Sequence, residues 1–384
     1  MTLPTSQFSM PTAVRFGHGE IRNLVTHLEW IGAKRPLVVT DPGMLSTKAF
    51  ATLKEILDNG VLPWALFGKV LPNPTEDNVD EATKIFRKGG HDSLVAIGGG
   101  SAIDLAKAVA VRTGYEGPLE DFTPAPRGAA PLAPIVAIPT TAGTGSEVGR
   151  SSVIILRKTG RKAVLFDPRL MPAVALLDPD LTLELPPKLT AATGMDAFTH
   201  CLESYVSNVF HPVADSIAMG GLELVIRNLT TAVKDGGNPE ARGYMMIAAM
   251  MGALAFQKDL GAAHSMAHPL SSISGLHHGL ANAIVLPTVM EFNREVVKDR
   301  FARVATLFDP KVALLSEEEA SHLAITKVRG LNAEIGIPAR LRDAGVKESD
   351  LPALAEGALH DGCHATNPRA CTLDDFRCLF REAY

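Results

Sequence analysis

Cysteine is scarce in this 384-residue chain: only Cys201, Cys363, Cys371 and Cys378 occur, and no two are arranged as a CxxC pair. A disulfide framework is thereby excluded as the basis of the fold, and reduced thiols are expected. Excess charge of one sign is also lacking. Against 42 Asp and Glu stand 37 Lys and Arg, scattered along the chain, for a formal charge of −5. That distribution offers no footprint for a polyanion, so nucleic acid is not expected as a partner. The opening residues lack the charged-then-apolar order of a secretory leader. The longest uncharged apolar run, residues 245–256, is too short to span a bilayer. A cytoplasmic protein without membrane contact is expected. Internal repeats and low-complexity tracts are absent as well.

What is present suits a globular chain with two cores: 46% of residues are hydrophobic and 21% charged. From Pro36 to about Asp178, short β-branched runs (PLVVTD, WALFGKV, SLVAIGGG, PIVAIPTT, SSVIIL, AVALLD) alternate with helical stretches, an α/β pattern. PLVVT, SLVAIG and PIVAIP are apolar throughout, as expected of parallel strands covered on both faces. Beyond the Pro186-Pro187 pair, residues 191–207, 213–235 and 239–260 read as helices with few strands between them. The expected organisation is an α/β dinucleotide-binding domain over residues 1–186 and an all-helical domain over 187–384.

In SLVAIGGGSAIDLAKAVA a strand runs into Gly98, Gly99 and Gly100, and Ser101 opens a helix carrying Asp104 and Lys107. Glycine lets backbone N–H groups approach an anion, and a helix N-terminus directs unpaired donors and partial positive charge toward it. A pyrophosphate would fit, although the order is not GxGxxG and a plain strand-to-helix turn reads the same way. PIVAIPTTAGTGSEV places Thr140, Thr141, Thr144 and Ser146 directly after another buried strand. Hydroxyls there can bond phosphate or ribose; a solvated loop is the simpler alternative. PLVVTD ends in Asp41, placed to accept from adenine-ribose hydroxyls and to repel a 2′-phosphate, which favours NAD over NADP.

Asp196 and His200 stand four apart in a helical stretch and share a face, and His264 and His268 repeat that spacing. His277 and His278 follow a serine-rich loop. A single histidine of this kind is more often structural than ligating. Concentrated beside a carboxylate on apolar helices, the set suits iron(II), zinc and similar divalent ions. His211, His322 and His360 fall outside these groupings and are read as ordinary residues.

In matched order, FGHGE, VVTD, PNPT, GGGSAIDLAK, PTTAGTGSEV, GMDAFTHCLE, HSMAHPL, HHGLANAIVLP and TNPR cover nearly the whole chain. In these motifs the sequence resembles the iron-containing, or group III, alcohol dehydrogenases, which include lactaldehyde reductases and 1,3-propanediol dehydrogenases. The resemblance implies an α/β domain followed by an all-helical one, an architecture shared with dehydroquinate synthase, with metal and cofactor in the cleft between. It implies metal ligands at Asp196, His200, His264 and His278, with His277 as a neighbour and Fe2+ or Zn2+ as the ion. For NAD it implies Asp41, Asn73, Gly98 to Ser101, Asp104, Thr140, Thr141, Thr144 and Lys162, the last toward the nicotinamide ribose. His268 falls at a catalytic, proton-relaying position near the metal, and Cys363 at the substrate pocket, for which Ser151 is a further candidate from its own place in the chain. The run SEVGRSS departs from the family's usual continuation, so contacts over Gly149, Arg150, Ser151 and Ser152 are not carried over from it with the rest. A homodimer or larger homo-oligomer is implied.

The chemistry explains why such residues would gather. An alcohol gives up hydride readily only as its alkoxide, and a bound metal can lower the pKa of water from about 15.7 to about 7. At 1.36 kcal/mol per unit that is worth roughly 12 kcal/mol, against roughly 3–5 kcal/mol for a positioned general base. Metal-assisted hydride transfer between NAD(H) and a small alcohol or aldehyde is the expected function. The alternatives are a maleylacetate reductase type, which works without metal, and a dehydroquinate synthase-like lyase, which regenerates its NAD each cycle.

Overall fold

The computed structural model describes residues 10, 12–123 and 130–384, so most of the opening stretch in which no leader was expected lies outside the described residues. The chain divides into two compact units, one comprising Met10–Thr141 and Gly145–Leu185, the other Ala142–Thr144 and Pro186–Tyr384.

The first unit holds strands β1 (Ala13–Phe16), β2 (Pro36–Val39), β3 (Ala65–Phe67), β4 (Ser93–Gly98), β5 (Ile135–Pro139), β6 (Ser151–Ile155), β7 (Lys162–Phe166) and β8 (Val174–Leu177), with helices α1 (Leu24–Trp30), α2 (Lys48–Asn59), α3 (Glu76–Gly89) and α4 (Gly100–Gly114). Six strands form one sheet in the order β1-β8-β5-β4-β2-β3, every neighbouring pair parallel. β2, β4, β5 and β8 are buried at every position, which is why their sequences are continuously apolar instead of alternating. Side chains of one face pack with α3 and α4 through Val79, Phe86, Ile103 and Val109, those of the other with α1 and α2 through Leu24, Leu28, Leu53 and Leu57. Thr47 and Thr75 start α2 and α3 by accepting from the Phe50 and Asn78 amides. From β2 the chain moves outward to β3, then returns to place β4 on the other side of β2, so the direction of winding reverses between β2 and β4.

Three strands differ from the sequence reading. SSVIIL forms β6, but it pairs antiparallel with β7 in a separate two-stranded sheet. Its alternating burial is that of a hairpin with one covered face. Neither β1 nor β7 was expected: AVRF and KAVLF are short, half-exposed and interrupted by or begun with a cation, which leaves little periodic signal.

The second unit is all-helical: α5 (Pro187–Val206), α6 (Pro212–Lys234), α7 (Pro239–Ala255), α8 (Ala262–Ile273), α9 (His278–Asn293), α10 (Lys298–Phe308), α11 (Glu317–Glu334), α12 (Leu351–Leu359) and α13 (Leu373–Ala383). Proline at the first turn begins α5, α6 and α7, where its missing N–H costs nothing. Capping boxes at Ser316/Glu319 and Thr372/Asp375 begin α11 and α13. His211, read as an ordinary residue, is the buried cap of α6 and accepts from the Ala214 amide.

α5 is central, every residue from Thr190 to Val206 being buried. Small residues let its neighbours approach: a Cβ on Gly279 of α9 would lie 2.2 Å from the Ala192 carbonyl oxygen, and one on Gly252 of α7 would lie 3.0 Å from the His200 Cβ. Because the obstacle at Gly279 is backbone, Gly279→Ala has to push α9 off α5. We expect a loss of about 1–3 kcal/mol, typical of overpacking, read as a lower denaturant midpoint at unchanged slope. Wild-type stability in that variant would show that the two helices are not tightly fitted.

Candidate active site

In the α/β unit Asp41, Gly98 to Ser101, Thr140 and Thr141, predicted for a dinucleotide, lie at the carboxyl ends of β2, β4 and β5, around the winding reversal where open parallel sheets bind ligands; Lys162 begins β7. Gly98 ends β4 with φ +145°, and a Cβ there would meet the Ala102 Cβ at 3.0 Å and Asp41 Oδ2 at 3.4 Å. The turn therefore requires glycine at Gly98, and it lies against Asp41. Asp41 Oδ1 accepts from the Gly43 and Met44 amides, which orients the carboxylate. Gly99 precedes α4 in an extended conformation with no side-chain cap, so the first amides of α4 have no such partner. Ser101 Oγ donates to the Pro72 carbonyl at 2.7 Å, tying the loop that carries exposed Asn73 to this turn. Thr140 is buried behind β5, its amide donating to the Gly98 carbonyl; Thr141 and Thr144 are half-exposed.

Asp104 and Lys107 act inward. Asp104 accepts from Ser146 Oγ at 2.6 Å and from the Val153 amide at 3.1 Å. Lys107 Nζ donates to the carbonyls of Ser146, Gly149 and Ser151 at 2.7–2.9 Å and to Ser146 Oγ at 3.0 Å. These two α4 side chains moor the SEVGRSS segment whose sequence departed from expectation. Burial pulls Lys107 down to about 8 against the opposing pull of Asp104 and Glu147, and burial likewise lowers Lys162. Arg150 stacks over the Phe166 ring at 4.8 Å, and Ser151 begins β6.

In the helical unit, Asp196 and His200 project from one face of α5, His264 and His268 from α8, and His278 from the first position of α9. The ligand atoms of Asp196, His200 and His264 lie within 4.8 Å of one another. Asp196 Oδ1 is 3.6 Å from His278 Nε2 and 3.9 Å from His264 Nε2. Neighbouring donors of a tetrahedral site with bonds of about 2.0–2.2 Å stand roughly 3.3–3.6 Å apart; Asp196 Oδ1 and His278 Nε2 are at that spacing, His264 Nε2 is slightly beyond it, and His200 lies within 4.8 Å of the Asp196 and His264 ligand atoms, so the set has to contract to close on one divalent ion. Asn282 marks the common focus: its amide nitrogen donates to Asp196 Oδ1 at 2.8 Å and lies 3.1 and 3.3 Å from His264 Nε2 and His278 Nε2.

Electrostatics suits the same purpose. Burial alone would raise Asp196, but the surrounding imidazoles hold it down at about 2, and burial takes His200 down to about 4. Near neutrality the cluster thus offers an anion and a neutral imidazole with a free lone pair. His264 is shifted the other way: burial lowers it, but hydrogen bonding and charge from Glu203 outweigh that effect.

Beside this cluster His268 stacks nearly parallel to His278, ring centroids 5.2 Å apart. Its Nδ1 is 2.6 Å from Asp361 Oδ2. Asp361 also accepts from Ser265 Oγ and the Cys363 amide. His268, Asp361 and Cys363 also place ligand atoms within 4.8 Å of one another. The carboxylate is already committed to three donors, however, and burial together with Asp361 pushes the Cys363 thiol well up, so it stays protonated. These contacts describe a braced imidazole. Glu203, Asn282 and Asp361 were missed from sequence. Spacing offered a signal for two of them: Asp196, His200 and Glu203 fall at i, i+4 and i+7, and His278 and Asn282 at i and i+4.

Comparison with known proteins agrees with this layout. The model of the iron-containing alcohol dehydrogenases matches residues 11–179, and that of the Fe-containing alcohol dehydrogenase family, C-terminal, matches residues 190–384. The chain is 40% identical to a 4-hydroxybutyrate dehydrogenase of Cupriavidus necator, over 97% of this chain and 98% of that one. It is 36% identical to an NAD-dependent methanol dehydrogenase of Bacillus methanolicus, over 98% and 100%. A solved 1,3-propanediol oxidoreductase superposes with TM-score 0.96 at 38% identity, over 99% of this chain and 100% of that one. Fold and relatives define an oxidoreductase acting on alcohols or aldehydes. More narrowly, the chain belongs to the iron-containing alcohol dehydrogenase family.

Proposed function

We propose that this protein interconverts a small alcohol and its aldehyde with NAD(H), using one divalent metal held by Asp196, His200, His264 and His278. The observation that carries the reading is the convergence of one ionised carboxylate and the His264 and His278 imidazoles on the focus marked by Asn282, with a His200 ring nitrogen within 4.8 Å of the Asp196 and His264 ligand atoms. When bound, the ion, Fe2+ or Zn2+, supplies Lewis-acid polarisation of the substrate oxygen, and the nicotinamide supplies the hydride acceptor or donor. In this reading the unit within residues 1–186 binds the dinucleotide: the Gly98–Ser101 turn faces the pyrophosphate, Asp41 the adenine ribose, and Lys162 the nicotinamide ribose, with Asn73, Thr140 and Thr141 beside them, while Asp104 moors Ser146 and Val153 behind the turn. The unit within 187–384 holds the metal and the substrate oxygen. His268 exchanges the hydroxyl proton at Nε2, while Asp361 holds Nδ1 and so directs Nε2 away from itself. Cys363, kept as a neutral thiol, lies beside His268 on the substrate side of the metal-binding unit. The relatives' names span a hydroxy acid, a diol and methanol, so the substrate is taken as a short primary alcohol or aldehyde. The protein is expected to work in the cytoplasm as a homodimer or larger assembly, checked by light scattering.

Metal removal tests the centre. Protein purified without air or chelator should carry about one ion per chain, lose NADH turnover with short alcohols and aldehydes on stripping, and regain it with Fe2+ or Zn2+. Undiminished turnover by the stripped protein would sink the metal and point to the metal-free maleylacetate reductase type. Bound NAD without net turnover would point to the lyase.

A further inference from the structure

We infer that Glu203 is a positioning residue that sets both the imidazole of His264 and the start of the helix carrying it, an inference that rests on the metal centre proposed above. α8 begins at Gly261 without any side-chain cap of its own. Glu203, reaching across from α5, takes over that role: Oε2 accepts from the Gly261 amide at 3.0 Å, and Oε1 from the Ala263 amide at 2.6 Å. Oε2 also lies 3.4 Å from the His264 amide and 2.6 Å from His264 Nδ1. The side chain is 4% exposed, and among the described residues no lysine or arginine forms an ion pair with it. Its charge is therefore balanced by the amides at the positive end of α8 and by the His264 ring.

This arrangement has a consequence for His264. With Nδ1–H given to Glu203, the lone pair of the ring lies on Nε2, the atom that faces Asp196, Asn282 and His278. The same carboxylate fixes the backbone from which His264 projects. Gly261 is needed for the fit, since a Cβ there would stand 2.7 Å from Glu203 Oε1. Carboxylate partners of this kind orient a ligating imidazole and raise its basicity, and their loss typically weakens metal binding about 10- to 100-fold.

The test measures Zn2+ affinity of the full-length protein by competition with a chromophoric chelator, with NAD affinity measured alongside. Glu203→Gln keeps the shape but replaces one acceptor by an NH2 group. We expect its Zn2+ dissociation constant to rise about 10- to 100-fold with NAD affinity unchanged. Asn367→Ala is the structural control, because Asn367 Oδ1 accepts from the neighbouring Ala262 amide without touching the His264 ring. It should lower the melting temperature and leave Zn2+ affinity within about twofold. Should Glu203→Gln fail to fold, Glu203→Asp, which keeps the charge but withdraws it by one methylene, should show a smaller loss of affinity. Wild-type affinity in the folded Glu203 variant, or an equal loss in Asn367→Ala, overturns the inference while leaving the metal centre standing. A wild-type protein that binds no Zn2+ overturns both.

Discussion

Asp196→Ala should leave the purified protein nearly free of metal and reduce kcat/KM by three or more orders of magnitude. Asp196 is the one ligand in the proposed set that brings a formal negative charge. It is buried, stays ionised because three imidazoles surround it, and touches two of them through Oδ1 at 3.6 and 3.9 Å. Its removal leaves three imidazoles with no anion to balance a dication in a buried site, and it frees Asn282 from its carboxylate partner. Metal polarisation of a hydroxyl is worth up to roughly 12 kcal/mol, so losing even a third of it corresponds to about a thousandfold in rate. Metal analysis and steady-state kinetics on the same preparation provide the check, with NAD binding as the control. A variant with one ion per chain and wild-type kcat/KM would remove Asp196 from the centre.

The second large effect is expected at His268. Replacing it by alanine should lower kcat/KM about 10²- to 10⁴-fold, the usual share of a positioned acid–base group, while metal content stays close to one per chain. The reasoning is geometric. The ring lies beside His278 but spends Nδ1 on Asp361, which suits it to carry a proton at Nε2 and not to complete the ligand set. Asp361→Asn should give a smaller loss, because the amide still reaches the ring but braces Nδ1 less firmly than the carboxylate does. Both variants should alter the inflection of the pH–rate profile. If His268→Ala instead loses the metal, His268 belongs to the ligand set; if its profile matches that of wild type, the proton leaves by another route.

These expectations rest on residues whose legibility differed. The buried parallel strands could be read because β2, β4 and β5 are apolar at every position, a pattern only two-sided burial explains. β1 and β7 could not, since four- and five-residue segments with half-exposed side chains carry too little periodicity. Likewise the i, i+4 pairs Asp196/His200 and His264/His268 were visible as pairs, but nothing in spacing says that His264 belongs with Asp196 while His268 turns to Asp361. That choice was implied by family resemblance; in the structure His264 Nε2 faces Asp196 and Asn282 while His268 Nδ1 meets Asp361. Asp104 illustrates the opposite limit. Its place on the glycine-turn helix suggested a cofactor contact, yet its carboxylate bonds Ser146 and Val153 of its own unit.

By itself the sequence determined what depends on local periods and residue chemistry: a buried parallel sheet, an all-helical second half, a glycine turn before a helix, and a supply of imidazoles and carboxylate at helical spacing. Tertiary structure decided which of those groups meet. Partnership across 61 to 93 residues, as between Glu203 and His264, Asp196 and Asn282, or Asp361 and His268, depends on how closely helices pack. For Asp196 and Asn282 that closeness needs the absence of a side chain at Gly279, and for Glu203 and His264 the absence of one at Gly261, a property of the neighbouring surface that spacing along one helix does not record.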